Sequence, residues 1–322
     1  MNDQQPAVAR FDPTLDAWVL SSYDDVSRAL REPELAISDT GPGADYAHLA
    51  VREAGADFAH ARLSEWRSRM EQSAAAMAAR LVPDQPVDLF RSFAAPWALE
   101  VACAVTEVDR AQGERLARIA GEVFLAAATA TGPGADSHAL DAAAELARNL
   151  PPAPMAVQGF VALSHTLPHF LASAWLTLIS NPEAELHLRA NLGIMPDAVE
   201  EMLRLASPAR AVFRKAIAPV TIGTATISRG DTVILLLAAA NRDPERFAHP
   251  DLLDFARGGN GHLAFGKGAH ACAGAHLIRL AASIATGALF ASTRAIELGG
   301  EIGWIGGFAI RAPGALPVII RR

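Results

Sequence analysis

A cysteine in the last fifth of the chain has surroundings that can support metal chemistry. Cys272 lies in the segment FGKGAHACAG (265–274), which follows a stretch with almost no regular periodicity and directly precedes a helical pattern. Glycines let a backbone approach a flat ligand closely, and a helix N-terminus favours the thiolate form of a nearby cysteine. A thiolate is a soft ligand that suits haem iron. The residue types alone leave open a buried, inert cysteine after a glycine turn.

Two pairs of charged residues have spacings that place them on one helix face. Glu201 and Arg204 are three positions apart and can pair with each other. His48 and Arg52 are four positions apart and can present two cations to a carboxylate. For each pair the alternative is an ordinary solvated pair on a surface helix.

The elements that must position these residues are mostly helical. Apolar spacing and strong helix formers predict helices over 61–81, 88–108, 111–130, 159–180 and 197–208, with a loop over 131–141. Polar residues near the middle of 159–180 favour a buried helix of a soluble protein over a membrane span. β-branched runs after Pro208 predict short strands, with a hairpin turn at Gly230-Asp231. We therefore predict one mainly α domain over 1–322 with a small β part.

Composition excludes several classes of protein. The chain is 51% apolar and carries a formal charge of −7, which excludes low-complexity disorder and argues against a nucleic-acid partner. Two cysteines cannot form a disulfide framework and indicate a reducing compartment. The N-terminus has no basic start followed by an apolar run, as a signal peptide would. We expect a cytoplasmic protein that binds no membrane.

The cysteine segment resembles the haem-binding loop of the cytochrome P450 family, Phe-Gly-x-Gly-x-His-x-Cys-x-Gly. The matching positions are Phe265, Gly266, Gly268, His270, Cys272 and Gly274. The resemblance implies the cytochrome P450 fold and haem b as cofactor, with Cys272 as the iron ligand and the other loop residues around the haem.

Further motifs of the same family lie upstream of the loop. The EMLR segment resembles its Glu-x-x-Arg motif, and HPDLLDFAR resembles the segment that supplies a second arginine. The resemblance implies a structural network of Glu201, Arg204 and Arg257 that holds the cysteine loop. It also implies that the haem propionates are bound by His48, Arg52, Arg214 and His270.

The apolar helix resembles the family's helix over the haem, whose oxygen-activation motif is small-Gly-x-acid-Thr. Thr166 keeps the threonine, His165 replaces the acid and Leu163 replaces the glycine. The resemblance implies that Thr166 and His165 deliver protons, a task that histidine can perform near neutral pH, although burial would push it neutral. The alternative is a packed core histidine. Leu163 would crowd the groove, and Pro168 would distort the helix.

The resemblance also implies the lining of the substrate pocket. The candidate lining residues are Ala162, Ser164, Ala211, Val212 and Phe308. The chain is short for the family, with reduced N-terminal, B–C and F–G–H regions, which usually form the substrate lid. An open pocket would be covered by a partner chain or would accept a bulky, carrier-bound substrate.

The function implied is that of a bacterial, biosynthetic haem-thiolate monooxygenase. It would oxidise a small organic or carrier-bound substrate with O₂ and electrons from a separate ferredoxin-type donor. His165 and Leu163 motivate one alternative, a peroxide-driven or redox-neutral haem-thiolate enzyme. The reduced lid motivates another, a degenerate haem-binding protein.

Overall fold

The structure is a computed structural model that describes residues 9–37, 60–132, 137–153, 156–257 and 261–322. Helices account for most of its regular structure, in agreement with the predicted mainly α class. The helices are α1 (Tyr23–Ala29), α2 (His60–Ala79), α3 (Ala95–Thr106), α4 (Arg110–Thr129), α5 (Ser137–Asn149), α6 (Ala156–Val161), α7 (Leu167–Ile179), α8 (Pro182–Ala190), α9 (Met195–Ala206), α10 (Leu237–Ala240) and α11 (Ala275–Ser292). The strands are β1 (Arg10–Asp12), β2 (Ala17–Leu20), β3 (Leu35–Ala36), β4 (Pro86–Asp88), β5 (Val212–Ala216), β6 (Val220–Ile222), β7 (Ala225–Ile227), β8 (Thr232–Leu235), β9 (Ala295–Leu298), β10 (Gly303–Gly306), β11 (Arg311–Ala315) and β12 (Pro317–Arg321).

The main core is built around α7, which is apolar on most of its surface. Trp175 of α7 is 1% exposed and stacks on Phe93, with ring centroids 5.4 Å apart. Its indole Nε1 donates to Thr286 Oγ1 of α11 at 3.1 Å, so the buried polar atom has a partner. Burying an aromatic side chain of this size contributes about 1.5–3 kcal/mol. The prediction of a buried helix over 159–180 is confirmed.

Helix α11 is the one described helix that is long and apolar enough to cross a membrane by length and composition. It packs along α2 and also contacts α7 and α9. Its residues Leu277, Ala281, Ala285 and Leu289 are buried at helical spacing within the main core. This packing explains the apolar composition of α11.

The strands form four small sheets beside the helices. The largest has the order β1-β2-β8-β5-β3, with β2 and β8 parallel, and α1 packs into the same apolar cluster. The other sheets are β4-β12-β9, β10-β11 and β6-β7. The largest sheet therefore brings the N-terminal strands against β5, which follows α9 and carries Arg214.

Two local predictions from the sequence were wrong. The hairpin turn lies at Gly223, whose φ of +58° suits glycine, because β6 pairs with β7 there. Gly230-Asp231 instead passes the chain to β8, which pairs with β5 and β2. Helix α5 begins at Ser137, inside the predicted loop over 131–141, because Ala139, Ala142 and Leu146 form an apolar face that is buried.

A buried ionic network joins α9 to the segment that precedes the cysteine loop. Arg204 donates to both carboxylate oxygens of Glu201, at 2.8 and 2.7 Å, and Arg257 Nε donates to Glu201 Oε1 at 3.1 Å. Arg204 also donates to the carbonyl oxygens of Asn241 and Pro250 at 2.8 and 2.6 Å. Glu201 and Arg204 are 1% and 2% exposed. The structure therefore brings together the three residues that the sequence assigned to this network.

We predict that Glu201→Ala lowers the free energy of unfolding by about 3–5 kcal/mol, because it leaves two guanidinium groups without their carboxylate. Denaturant titration followed by circular dichroism measures the change. Glu71→Ala is the control, because the Arg67–Glu71 pair is exposed at both ends and should cost less than about 1 kcal/mol. Equal stability of Glu201→Ala and wild type would contradict a structural role for the network.

Candidate active site

Cys272 lies between a 3₁₀ turn over Gly268–His270 and the first turn of α11. Its backbone N–H donates to Phe265 O at 2.8 Å, and its carbonyl accepts from Ala275 N–H at 3.3 Å. The side chain is exposed, and the backbone N–H of Gly274 hydrogen-bonds to the thiol. The loop thus presents a sulfur atom at the N-terminus of an eighteen-residue helix.

The thiol does not ionise as readily as its position in the sequence suggested. Although Cys272 keeps an accessible face, desolvation by the protein atoms packed around its sulfur raises the pKa of the thiol, and the hydrogen bond from Gly274 and the positive charge of Arg279 offset that effect only in part. A metal ion that binds here must displace the proton.

The glycines of the loop have backbone conformations and protein neighbours that disfavour a side chain. Gly266 and Gly268 have φ values of +66° and +74°, which other residues rarely adopt. A Cβ atom on Gly268 would lie 2.8 Å from the carbonyl oxygen of Leu30, the residue that ends α1. The close approach that requires glycine at Gly268 is therefore to the backbone of the N-terminal region.

A second ionic cluster holds the loop from the helical side, and the sequence analysis did not find it. Arg279 of α11 makes a bidentate pair with Glu200 of α9 and lies over the ring of Phe265, 4.8 Å from its centroid. His262 Nε2 lies 3.4 Å from the same carboxylate. Burial would raise the pKa of Glu200, but hydrogen bonds from His262 and Arg279 outweigh it and lower the pKa to about 2. Glu200 beside Glu201, and Arg279 in the first turns of α11, were the available signals.

Arg214 supplies an observation that bears on the cofactor. Arg214 is 6% exposed, its Nε has no hydrogen-bond partner among the described residues, and its Nη1 donates to the carbonyl oxygen of Phe213 at 2.8 Å. No carboxylate of the described residues pairs with it. Burial lowers the pKa of Arg214 to about 10. An unpaired, desolvated guanidinium suits a carboxylate that the protein itself does not provide, such as a haem propionate.

The other predicted propionate partners are His270, His48 and Arg52. His270 is half-buried, two residues before Cys272, so its position in the loop suits the assignment. His48 and Arg52 lie outside the described residues. The donors present, a thiol with a free face and an unpaired arginine, fit a haem.

The helix over the predicted haem site is distorted at the proposed oxygen-activation motif. Residues Ala162–Thr166 form a π-helical turn between α6 and α7, and Leu167 N–H donates to Ala162 O, five residues back. Pro168 follows and has no N–H to donate, so the prediction of a distorted helix is confirmed. Thr166 is half-buried at the end of this turn. Leu163 is 3% exposed and belongs to the main core, and its crowding of the groove over the haem stays a prediction.

His165 packs against α4. A Cβ on Gly121 would lie 3.2 Å from its Nε2, and the ring of Phe124 lies 5.6 Å away. Its Nδ1 lies 2.9 Å from Ser164 Oγ. Because that hydroxyl donates to Phe160 O at 2.6 Å, Nδ1 carries the proton of the neutral ring. Burial, with a smaller contribution from His169, lowers the pKa of His165 to about 4, so the ring is neutral near pH 7, as expected.

The candidate pocket residues fall into two groups. Ala211 N–H donates to Ala309 O at 3.2 Å, which brings the start of β5 beside the turn between β10 and β11. Phe308 in that turn is 38% exposed, and its ring lies 6.3 Å from that of Phe213, next to the half-buried Val212. Ala211, Val212 and Phe308 are therefore neighbours.

The second group is on the central helix, which is formed by α6, the π-helical turn over Ala162–Thr166 and α7. Ala162 is half-buried at the start of the π-helical turn. Ser164 is 7% exposed, and its hydroxyl is engaged by Phe160 O and His165 Nδ1. That hydroxyl is thus committed within the helix and its neighbour.

Known proteins resemble the chain in sequence and in structure. Residues 177–292 match the family model Cytochrome P450. Cytochrome P450 107B1 of Saccharopolyspora erythraea is 31% identical over 362 positions, covering 94% of this chain and 89% of that protein. The cytochrome P450 monooxygenase PikC of Streptomyces venezuelae is 41% identical over 166 residues, covering 50% of this chain and 40% of that protein. The structure of P450BioI in complex with hexadec-9Z-enoic acid ligated acyl carrier protein shares the fold, with a TM-score of 0.82 and 23% identity over 95% of this chain and 92% of that chain.

The comparisons also bear on the length of the chain. The alignment with the Saccharopolyspora protein has 40 more positions than the chain has residues, so the chain lacks segments that this relative contains. The fold is accordingly a shortened cytochrome P450 fold. Because a relative at 31% identity spans nearly the whole chain, the chain belongs to the cytochrome P450 family, as a bacterial-type, haem-dependent monooxygenase of the oxidoreductase class.

Proposed function

We propose that this P450 monooxygenase oxidises a small organic or carrier-bound substrate in the cytoplasm, with O₂ and electrons from a separate ferredoxin-type protein. The observation that carries the proposal is the exposed Cys272 thiol at the start of α11, on a loop fastened by buried charges. The 322 residues contain two cysteines, and Cys103 is buried in α3. Two cysteines are too few for an iron–sulfur cluster of four thiolates within these residues, which supports a separate electron donor.

The cofactor in this proposal is haem b. Cys272 is the iron ligand, Arg214 and His270 bind the propionates together with His48 and Arg52, and the loop residues Phe265, Gly266 and Gly274 surround the ring. When bound, the haem supplies the activation of O₂. The unpaired guanidinium of Arg214 supports this assignment, because a propionate would give it the carboxylate it lacks.

Thr166 and His165 manage protons in this proposal. The π-helical turn interrupts the regular hydrogen bonds of the helix, and Thr166 holds a hydroxyl at its end. His165 hydrogen-bonds to Ser164 Oγ and is neutral near pH 7, so it holds no acidic proton to release and relays protons less readily than a carboxyl group. Proton delivery by this chain is then slower than with a carboxylic acid at position 165.

The carrier-bound substrate is suggested by the shortened fold. P450BioI holds an acyl chain that is attached to a carrier protein. In the present chain Phe308 and Trp304, both on the β10–β11 hairpin, are 38% and 50% exposed. An exposed apolar edge of this kind suits a substrate that enters with its carrier. The test measures product formation from one acyl group, supplied either free or attached to acyl carrier protein, with ferredoxin and its reductase present. No product from either form would contradict the proposal.

A peroxide-driven enzyme is the second candidate. The neutral state of His165 favours it, because hydrogen peroxide brings both the electrons and the protons that O₂ chemistry must obtain elsewhere. Product formation with hydrogen peroxide and no reductase distinguishes the two functions. The main proposal requires that the redox pair supports much faster turnover than peroxide does.

We predict that Cys272→Ser abolishes the red-shifted band of the reduced carbon monoxide complex, because serine cannot supply a thiolate to haem iron. Absorption spectroscopy of the purified haem-loaded protein measures the band. The matched control is Cys103→Ala, which removes the other cysteine from a buried site in α3 and should keep the band. Retention of the band in Cys272→Ser would show that another residue is the ligand.

We predict that Arg214→Met weakens haem binding about tenfold or more, because it removes a charge-assisted bond to a propionate that is worth about 1.5–3 kcal/mol. Haem transfer to apomyoglobin measures the loss. Arg210→Met is the control, because Arg210 lies on the same segment but is exposed. Similar haem transfer rates for Arg214→Met and wild type would remove Arg214 from the propionate site.

We predict that His165→Asp raises the fraction of electrons that end in product, because a carboxyl group can hold and release a proton beside Thr166 where the neutral imidazole does not. NADH consumption compared with product formation measures this coupling. His165→Asn is the matched control, since it has the size of aspartate and no ionisable proton. Equal coupling in the Asp and Asn variants would show that position 165 serves packing alone.

A further inference from the structure

The loop that carries Cys272 is hydrogen-bonded to α1 through the phenol of Tyr23 and the hydroxyl of Ser27. The Tyr23 hydroxyl donates to the carbonyl oxygen of Gly261 at 2.6 Å and accepts from Lys267 Nζ at 3.0 Å. Lys267 Nζ also donates to Ser27 Oγ, one turn further along α1, at 3.2 Å. One side chain of α1 therefore joins both ends of the segment 261–267.

The phenol is itself firmly held. Tyr23 is 7% exposed, its backbone N–H donates to Asp243 Oδ2 at 2.7 Å, and its ring meets Phe247 edge-on at 5.7 Å. The Arg246 guanidinium lies 5.1 Å from the ring centroid on one side. The hydroxyl cannot shift without moving α1 or the segment that carries Asp243.

The bond between Tyr23 and Lys267 is of the strong, charge-assisted kind. Burial would raise the pKa of Tyr23, but hydrogen bonds and charge from Lys267 and Arg246 outweigh it, and the pKa is lowered. No carboxylate of the described residues forms an ion pair with the Lys267 ammonium, which instead donates to two hydroxyls. The cation and the phenol therefore each supply one of the other's polar contacts.

The fastened segment leads directly to the cysteine. Leu263 N–H donates to Asn241 Oδ1 at 2.7 Å, and Gly266 N–H donates to Leu263 O at 2.9 Å. In the same segment, the carbonyl oxygen of Phe265 accepts a hydrogen bond from Cys272 N–H at 2.8 Å. A shift of the segment 261–267 therefore moves Phe265, whose carbonyl oxygen is hydrogen-bonded to the backbone of Cys272.

We propose that Tyr23 and Lys267 are positioning residues for Cys272: their hydrogen bond fixes the segment 261–267, and that segment fixes the backbone of the cysteine. The inference rests on the proposed function only in that Cys272 ligates the haem. Lys267→Arg should preserve the positioning of Cys272, because a guanidinium also donates to a phenol. Tyr23→Phe and Lys267→Met should disable it, because each keeps the apolar part of the side chain and removes one polar partner.

Amide hydrogen exchange of the haem-loaded protein tests the proposal. In Tyr23→Phe and Lys267→Met we expect the amides of Cys272 and Gly266 to exchange about tenfold faster, a loss typical of one strong hydrogen bond. Lys267→Arg should exchange at the wild-type rate. Thr106→Val is the matched control, because it removes a buried hydroxyl that donates to Ala102 O at 2.7 Å in α3, and it should not affect the loop. If Tyr23→Phe does not fold, the partly exposed Lys267→Met carries the test.

The carbon monoxide complex gives a second measurement. On mild warming, the two disabling variants should lose the red-shifted thiolate band sooner than wild type and Lys267→Arg. An unchanged Cys272 amide in a protein that keeps the band would overturn the role of Tyr23 and Lys267 alone. Equal acceleration of amides in α7 would also overturn it, since it would indicate a general loss of stability. Absence of the band in the wild type would overturn the haem assignment instead.

Discussion

The carboxylate of Glu201 is the interaction on which the rest of the site depends. It is almost fully buried and is shared by Arg204 and Arg257, while Arg204 also binds three backbone carbonyl groups of the segment after α10. Two cations around one anion fix the relative positions of α9 and an irregular segment that has few regular backbone hydrogen bonds of its own. Charge, more than secondary structure, gives this part of the molecule its shape.

The cysteine loop is held between two parts of the fold that are far apart in sequence. On the helical side Glu200 and Arg279 clamp Phe265, and on the sheet side Tyr23 and Lys267 clamp the segment that begins at Gly261. The loop can be irregular because these contacts replace the ladder of hydrogen bonds that a helix or strand would provide. The thiol of Cys272 stays exposed on the remaining face.

The central helix is stabilised mainly by apolar burial, whereas the cysteine loop is held mainly by charged and polar contacts. Its core face is apolar and continuous, so stability is supplied by burial, and the π-helical turn over Ala162–Thr166 is tolerated within it. His165 lies in this turn and packs on α4 next to Gly121, which has no side chain to occupy the space. The residue that replaces the family's usual acid is therefore also a contact between the central helix and α4, which explains why burial keeps it neutral.

The sequence by itself determined the helical class, because helices depend on local periodicity. The role of the cysteine loop and the grouping of Glu201, Arg204 and Arg257 came from the resemblance of their motifs to the cytochrome P450 family, and the contacts of the three residues bear out that grouping. The sequence did not predict that β6 pairs with β7 or that α5 begins at Ser137, since strand partners and marginal helices are chosen by the surfaces that cover them. The raised pKa of Cys272 and the lowered pKa of His165 are set by the tertiary structure, because desolvation depends on every neighbour in space. The contacts of Glu200 with Arg279, and of Tyr23 with Lys267, likewise join residues 79 and 244 positions apart, a distance at which no local pattern carries information.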